Sequence, residues 1–210
     1  MTHLIRLPKA TTLFVFIFFL LTAHGVKSQS LTAEERAVVI DMLEENSKKF
    51  LAAIERISET QWQFKPAADQ WSVAESAEHI TLSEGLLLSI AQESLKSADE
   101  AKKASVLEGK EKAVIERLKD RSQKANAPDV LRPTGKFATR KELIEAFKLA
   151  REKTMMYVKT TKDPLKSHIV SHPLFGELTA YQWLVMIPAH ANRHVDQLEE
   201  VQKLKEFPIE

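Results

Sequence analysis

Three histidines carry the clearest chemistry in this 210-residue chain. His190 and His194 lie four apart in W-L-V-M-I-P-A-H-A-N-R-H. On a helix that spacing puts both imidazoles on one face, about 6 Å apart, where they can chelate one ion. They interrupt the stripe Trp183, Ile187, His190, His194, Gln197, Val201, Leu204. Its steps alternate four and three, the seam a helix turns toward a core. His79 likewise continues a stripe made by Leu82, Leu86 and Ile90. Burying an imidazole without partners costs about 1–3 kcal/mol, so three in one small core need compensation. A divalent ion would supply it, with a fourth position left for water or substrate, as in catalytic rather than closed structural sites. With no thiolate available, the ligand type favours zinc or nickel, iron and manganese being the alternatives. On spacing alone, three ordinary core histidines remain the competing reading.

The neighbours are weighed the same way. Gln197 lies one turn beyond His194 and can hydrogen-bond a ligand ring or a bound water, or sit as a core amide. Glu75, one turn before His79, can serve as a base, but a helix cap is favoured. Glu78 points roughly 100° from His79 and is expected at the surface. Ser83 is expected as a small core residue. Asn192 and Arg193 are expected to face outward or a dimer partner. His168 and His172 are four apart, yet Pro173 and Gly176 place them in a loop, a poor setting for ligation. No Ser-His-Asp set or phosphate loop is evident, so catalytic residues beyond the metal ligands stay unassigned.

The elements that must position these residues read as helices. T-A-E-E at Thr32, S-V-A-E at Ser72 and T-R-K-E at Thr139 are capping boxes. They open a first helix over about 32–58, a second over about 73–97 and a third to about 160. Inward positions are Val39, Leu43, Phe50, Ile54 and Ile57 on the first, and Leu143, Phe147, Ala150 and Val158 on the third. Thr179 caps a fourth helix over about 180–204, within which Pro188 removes the hydrogen bond to the Leu184 carbonyl. A solvated helical piece is expected near 108–124, followed by the loop NAPDVLRPTGKF. Trp62, Trp71 and Trp183 are expected as packing anchors. No alternation of period two is long enough to demand a strand. The fold class expected is therefore all-α, a four-helix bundle with a long crossover between the second and third helices.

Composition agrees. Hydrophobic residues are 44 % and charged residues 28 %, able to form a core, and only 5 Gly and 8 Pro argue against a turn-rich β fold. Thirty basic residues against 29 acidic ones give no basic excess for nucleic acid. The lack of cysteine excludes disulfides, thiolate ligands and a cysteine nucleophile. The N-terminus has its own pattern. His3, Arg6 and Lys9 precede the apolar run Thr11 to Ala23, and small residues follow at Ala23, Gly25 and Ser28. The run falls short of the roughly 20 residues of a bilayer span. It reads as a secretory signal peptide over 1–28, cleaved after Ser28 or Gly25. Residues 29–210 are then one mildly acidic exported domain, periplasmic or secreted, with no stable membrane insertion.

W-S-V-A-E-S-A-E-H-I (71–80), together with W-L-V-M-I-P-A-H-A-N-R-H-V-D-Q-L-E-E-V (183–201), resembles the DinB-like superfamily. That superfamily includes YfiT-like metal-dependent hydrolases and the bacillithiol and mycothiol S-transferases. The resemblance extends through Q-W-Q-F-K-P (61–66) and F-G-E-L-T (175–179). It implies one divalent metal held by His79, His190 and His194, helices ordered up, down, down, up, and a homodimer. It further implies a metal-dependent hydrolase or thiol S-transferase acting on a small molecule. The alternative is a non-catalytic bundle in which the metal is structural, or a small-molecule binding module. Low-molecular-weight thiols are scarce outside the cytoplasm, so export weighs against the transferase.

Overall fold

The computed structural model describes residues 29–122 and 126–209. The signal peptide expected over 1–28 lies outside the described residues. Four long helices, α1 (Ala33–Ile54), α3 (Val73–Glu93), α6 (Arg140–Thr160) and α7 (Ala180–Gln202), account for most of the helix among the described residues. Shorter helices α2 (Glu59–Trp62), α4 (Ala101–Ala104) and α5 (Lys110–Lys119) lie in the connections. The long helices pack in a closed ring: α1 on α7, α7 on α3, α3 on α6 and α6 back on α1.

The capping signals act where the sequence places them. Thr32, Ser72 and Thr179 each accept from the third helical amide and are closed by the reciprocal Glu35, Glu75 or Gln182 side chain. Each box satisfies two orphan amide donors at a helix start. Thr139 accepts from the Glu142 amide, while the Glu142 carboxylate takes the Ala138 amide instead. α1 ends at Ile54, short of the expected 58, because Ser58 and Gln61 form another capping box that restarts the chain as α2. α7 runs continuously through Pro188.

The core is divided in two along the helix axes. One apolar cluster joins Val39 and Leu43 of α1, Leu87 and Leu88 of α3, Val158 of α6 and Leu184 and Ile187 of α7. The other joins Phe50 and Ile54, Val73 and Ile80, Leu143 and Phe147, and Val195 and Leu198 of the same four helices. Phe50 and Phe147 meet edge to face at 4.5 Å, worth about 0.5–1.5 kcal/mol beyond burial. Between the clusters lies a polar layer that the apolar pattern does not announce. Both Glu84 oxygens accept from Arg151, whose guanidinium also donates to the Leu43 carbonyl at 2.7 Å and to Asn46 Oδ1 at 2.8 Å. Asn46 in turn donates to Asn192 Oδ1 at 2.8 Å. One residue from each long helix is thus joined in a single chain of hydrogen bonds. Burial pushes the Glu84 carboxyl up, and Arg151 beside it pulls it back.

Three expectations are corrected. On α3 the positions Leu82, Leu86 and Ile90 are only half-buried; Ile80, Glu84, Leu87, Leu88 and Ala91 go inside, because the helix turns Glu84 toward Arg151. The piece near 108–124 is not simply a solvated face: α5 lays Val114 and Leu118 into the core against α7. The segment expected as loop holds an antiparallel hairpin, β1 (Ile169–His172) and β2 (Gly176–Thr179). Its strands are four residues each, too short for alternation to register. Gly176 takes φ +66° at the start of β2, a region glycine enters without penalty. Lys110 ties this hairpin to α5 through the Phe175 and Glu177 carbonyls, at 2.8 and 2.9 Å. No described helix is long and apolar enough to cross a membrane.

Candidate metal centre

α3 carries His79 and α7 carries His190 and His194 into one cluster whose ring nitrogens lie within 4.8 Å of one another. The Nε2 atoms converge. His194 Nε2 is 3.2 Å from His79 Nε2 and 3.2 Å from His190 Nε2. Three nitrogens bound tetrahedrally to one ion at 2.0–2.1 Å stand about 3.3 Å apart, so the spacing already fits a shared cation. His79 is 2 % exposed, and the two α7 rings are half-buried.

The rings are held from behind. His79 Nδ1 meets the Leu131 carbonyl at 2.9 Å, and His194 Nδ1 meets Gln197 Oε1 at 2.6 Å. An oxygen acceptor at Nδ1 keeps the proton there and leaves Nε2 a bare lone pair. Two such lone pairs facing each other at 3.2 Å repel unless a cation lies between them. A proton is disfavoured in that role. Burial lowers the affinity of all three rings for it, and neighbouring imidazoles add to this at His190 and His194. His194 falls to about 3, and His190 lies well below the ordinary value. The donor set therefore suits a metal ion better than it suits a proton. His190 Nδ1 is buried without a protein hydrogen-bond partner. The ring of Trp71 packs on His79 at 5.0 Å.

The neighbours divide. Gln197 orients a candidate ligand, as its position one turn on suggested. Glu75 closes the α3 capping box and pairs with Lys65 at 2.8 Å, so the cap reading holds. Ser83 bonds back to the His79 carbonyl at 2.7 Å within the helix. His168 bonds the Ser97 carbonyl and His172 packs on Trp183 and Phe175; neither joins the cluster. Three expectations fail. Asn192 faces inward to Asn46. Arg193 donates to the Leu118 and Asp120 carbonyls at 2.8 and 2.6 Å, where a cation meets the C-terminal end of α5. Glu78 is 5 % exposed rather than on the surface. No helical period could have revealed these partners, which come from the long connection between α3 and α6 and from α1.

The chain belongs to the DinB superfamily, whose family model matches residues 42–198. It is 29 % identical over 147 residues to the uncharacterized protein YuaE of Bacillus subtilis (strain 168), covering 70 % of this chain and 86 % of that one. No solved structure gives a significant match.

Proposed function

We propose that this chain is a metal-dependent hydrolase or transferase acting on a small molecule, with one divalent transition-metal ion held by His79, His190 and His194. The observation that carries the reading is the convergence of three Nε2 atoms, two of them stripped of their proton by acceptors at Nδ1. The chemistry an ion supplies when bound there is Lewis acidity toward water or an anionic ligand. The chain's own part is to present three neutral donors, fix two of their tautomers and shield His79 behind Trp71 and Leu131. Zinc and nickel suit an all-imidazole set best. Among the described residues no carboxylate joins the cluster. That favours a second reading, in which the ion pins α3 to α7 without turnover.

The fold that goes with this function is a four-helix bundle ordered up, down, down, up, with residues 94–139 as the crossover. Shared clusters support it. The first half of α1 meets the first half of α7 but the second halves of α3 and α6. The site's place on α3 and α7 then lets the crossover cover it. Export after cleavage near Ser28 belongs to the same proposal and places the enzyme away from cytoplasmic thiols.

Elemental analysis tests the metal reading. Protein purified without chelator or a metal-affinity column is expected to carry about one equivalent of a divalent transition ion. His79→Ala and His190→Ala are expected to lose it. Wild-type protein that holds no ion and takes up none on addition refutes the proposal.

A further inference from the structure

We infer that Glu78 is a positioning residue for the metal centre, acting through the backbone of the crossover; this rests on the metal reading proposed above. Glu78 is the residue before His79 on α3, and its carboxylate is buried against the segment that begins at Leu131. Oε1 accepts the Thr134 amide at 2.9 Å and the Lys136 amide at 3.2 Å, and Oε2 accepts the Gly135 amide at 3.0 Å. Three successive backbone N–H groups thus converge on one anion, a nest built from the chain itself. Gly135 has φ +73°, the left-handed turn that folds these amides around the carboxylate. Residues 134–136 are exposed and irregular, so this anion supplies order that neither burial nor a helix ladder gives them.

The same segment begins at the carbonyl that fixes His79. Leu131 O meets His79 Nδ1 at 2.9 Å. Adjacent side chains on α3 therefore grip the crossover at two points: Glu78 holds residues 134–136, and His79 meets residue 131. A carboxylate has acceptors only, with enough lone pairs for three amides. A glutamine in its place turns an NH2 against one of the three N–H donors. The nest then opens, Leu131 O drifts from the imidazole, and His79 is free to move its proton to Nε2, the atom the ion needs bare.

The test uses purified protein expressed from the full chain. Zinc affinity is measured by competition with a chromophoric chelator for wild type, Glu78→Gln, Gly135→Ala and the control Glu142→Gln. The His79 tautomer is read in the metal-free protein by long-range proton–nitrogen correlation of the imidazoles. Loss of a partner behind a ligand histidine typically weakens binding about 10–100-fold. Glu78→Gln is expected to fall in that range and to shift His79 toward the Nε2–H tautomer. Gly135→Ala, which strains the nest without touching a charge, is expected to do the same more weakly. Glu142→Gln, at the α6 start, is expected to leave both readouts unchanged. A pure loop anchor would lower the melting temperature alone. Affinities within twofold of wild type with an unchanged tautomer overturn the inference. Should wild type bind neither zinc nor any other divalent transition ion, the metal reading fails, while the tautomer still decides the role of Glu78; should Glu78→Gln not fold, Gly135→Ala decides it.

Discussion

Acid is expected to destabilise the metal-free protein through its buried histidines, and His194 allows the size to be worked out. In the unfolded chain an imidazole takes up a proton near pH 6.5. In the folded protein burial, with His79 beside it, holds His194 down at about 3. Below pH 6.5 the unfolded state therefore binds a proton that the native state refuses, so stability falls as pH falls and levels off only near 3. From pH 7 to pH 5 this one group costs about 2 kcal/mol. With a urea m-value of about 2 kcal/mol/M the midpoint moves down by about 1 M. Urea unfolding in the presence of chelator at the two pH values measures it, with His194→Gln as the comparison. The variant is expected to lack about 2 kcal/mol of the wild-type pH dependence. Equal pH dependence in the two proteins refutes the reasoning, because it means His194 takes up its proton alike in both states. The same depressed affinities displace metal release. Protons compete with an ion only where the folded rings can accept them, so release is expected well below pH 6.5 rather than across the ordinary histidine range, as dialysis at stepped pH followed by elemental analysis will show.

Replacing Arg151 by Met is expected to cost about 3–5 kcal/mol in urea unfolding, because the buried Glu84 carboxyl loses its cationic partner. Adding Glu84→Leu is expected to recover most of it, and a double variant no more stable than the single one counts against that cause. Gln197→Leu is expected to weaken zinc binding about tenfold by freeing the His194 ring, measured by chelator competition. Chelation of the wild-type protein is expected to leave it helical but to lower its melting temperature in circular dichroism. Two apolar clusters hold the helices without an ion, which adds about 4 kcal/mol at a thousandfold excess over its Kd. Expression with the native N-terminus is expected to yield an exported protein beginning near Gln29 by intact mass; full-length protein in the membrane fraction would mean an anchor.

What the amino-acid order determined by itself is local and periodic. Capping boxes at Thr32 and Ser72 and the N-cap at Thr139 mark helix starts, because a cap is closed by residues three apart. The inward placement of Val39, Leu43, Phe50 and Ile54 follows from the helical repeat alone. His190 and His194 were legible as a pair because residues four apart share a helix face, whereas the stripe that singled out His79, made by Leu82, Leu86 and Ile90, is one the fold leaves half-buried. Tertiary structure decided everything that joins distant segments. Glu84 and Arg151 look like surface charges until α3 and α6 pack them against each other 67 residues apart. Glu78 looks exposed until the connection between α3 and α6 wraps its amides around it, and nothing in the sequence spacing tells Leu131 to stand behind His79. Hydrogen bonds of this kind depend on where two backbones meet in space, which a one-dimensional period does not encode.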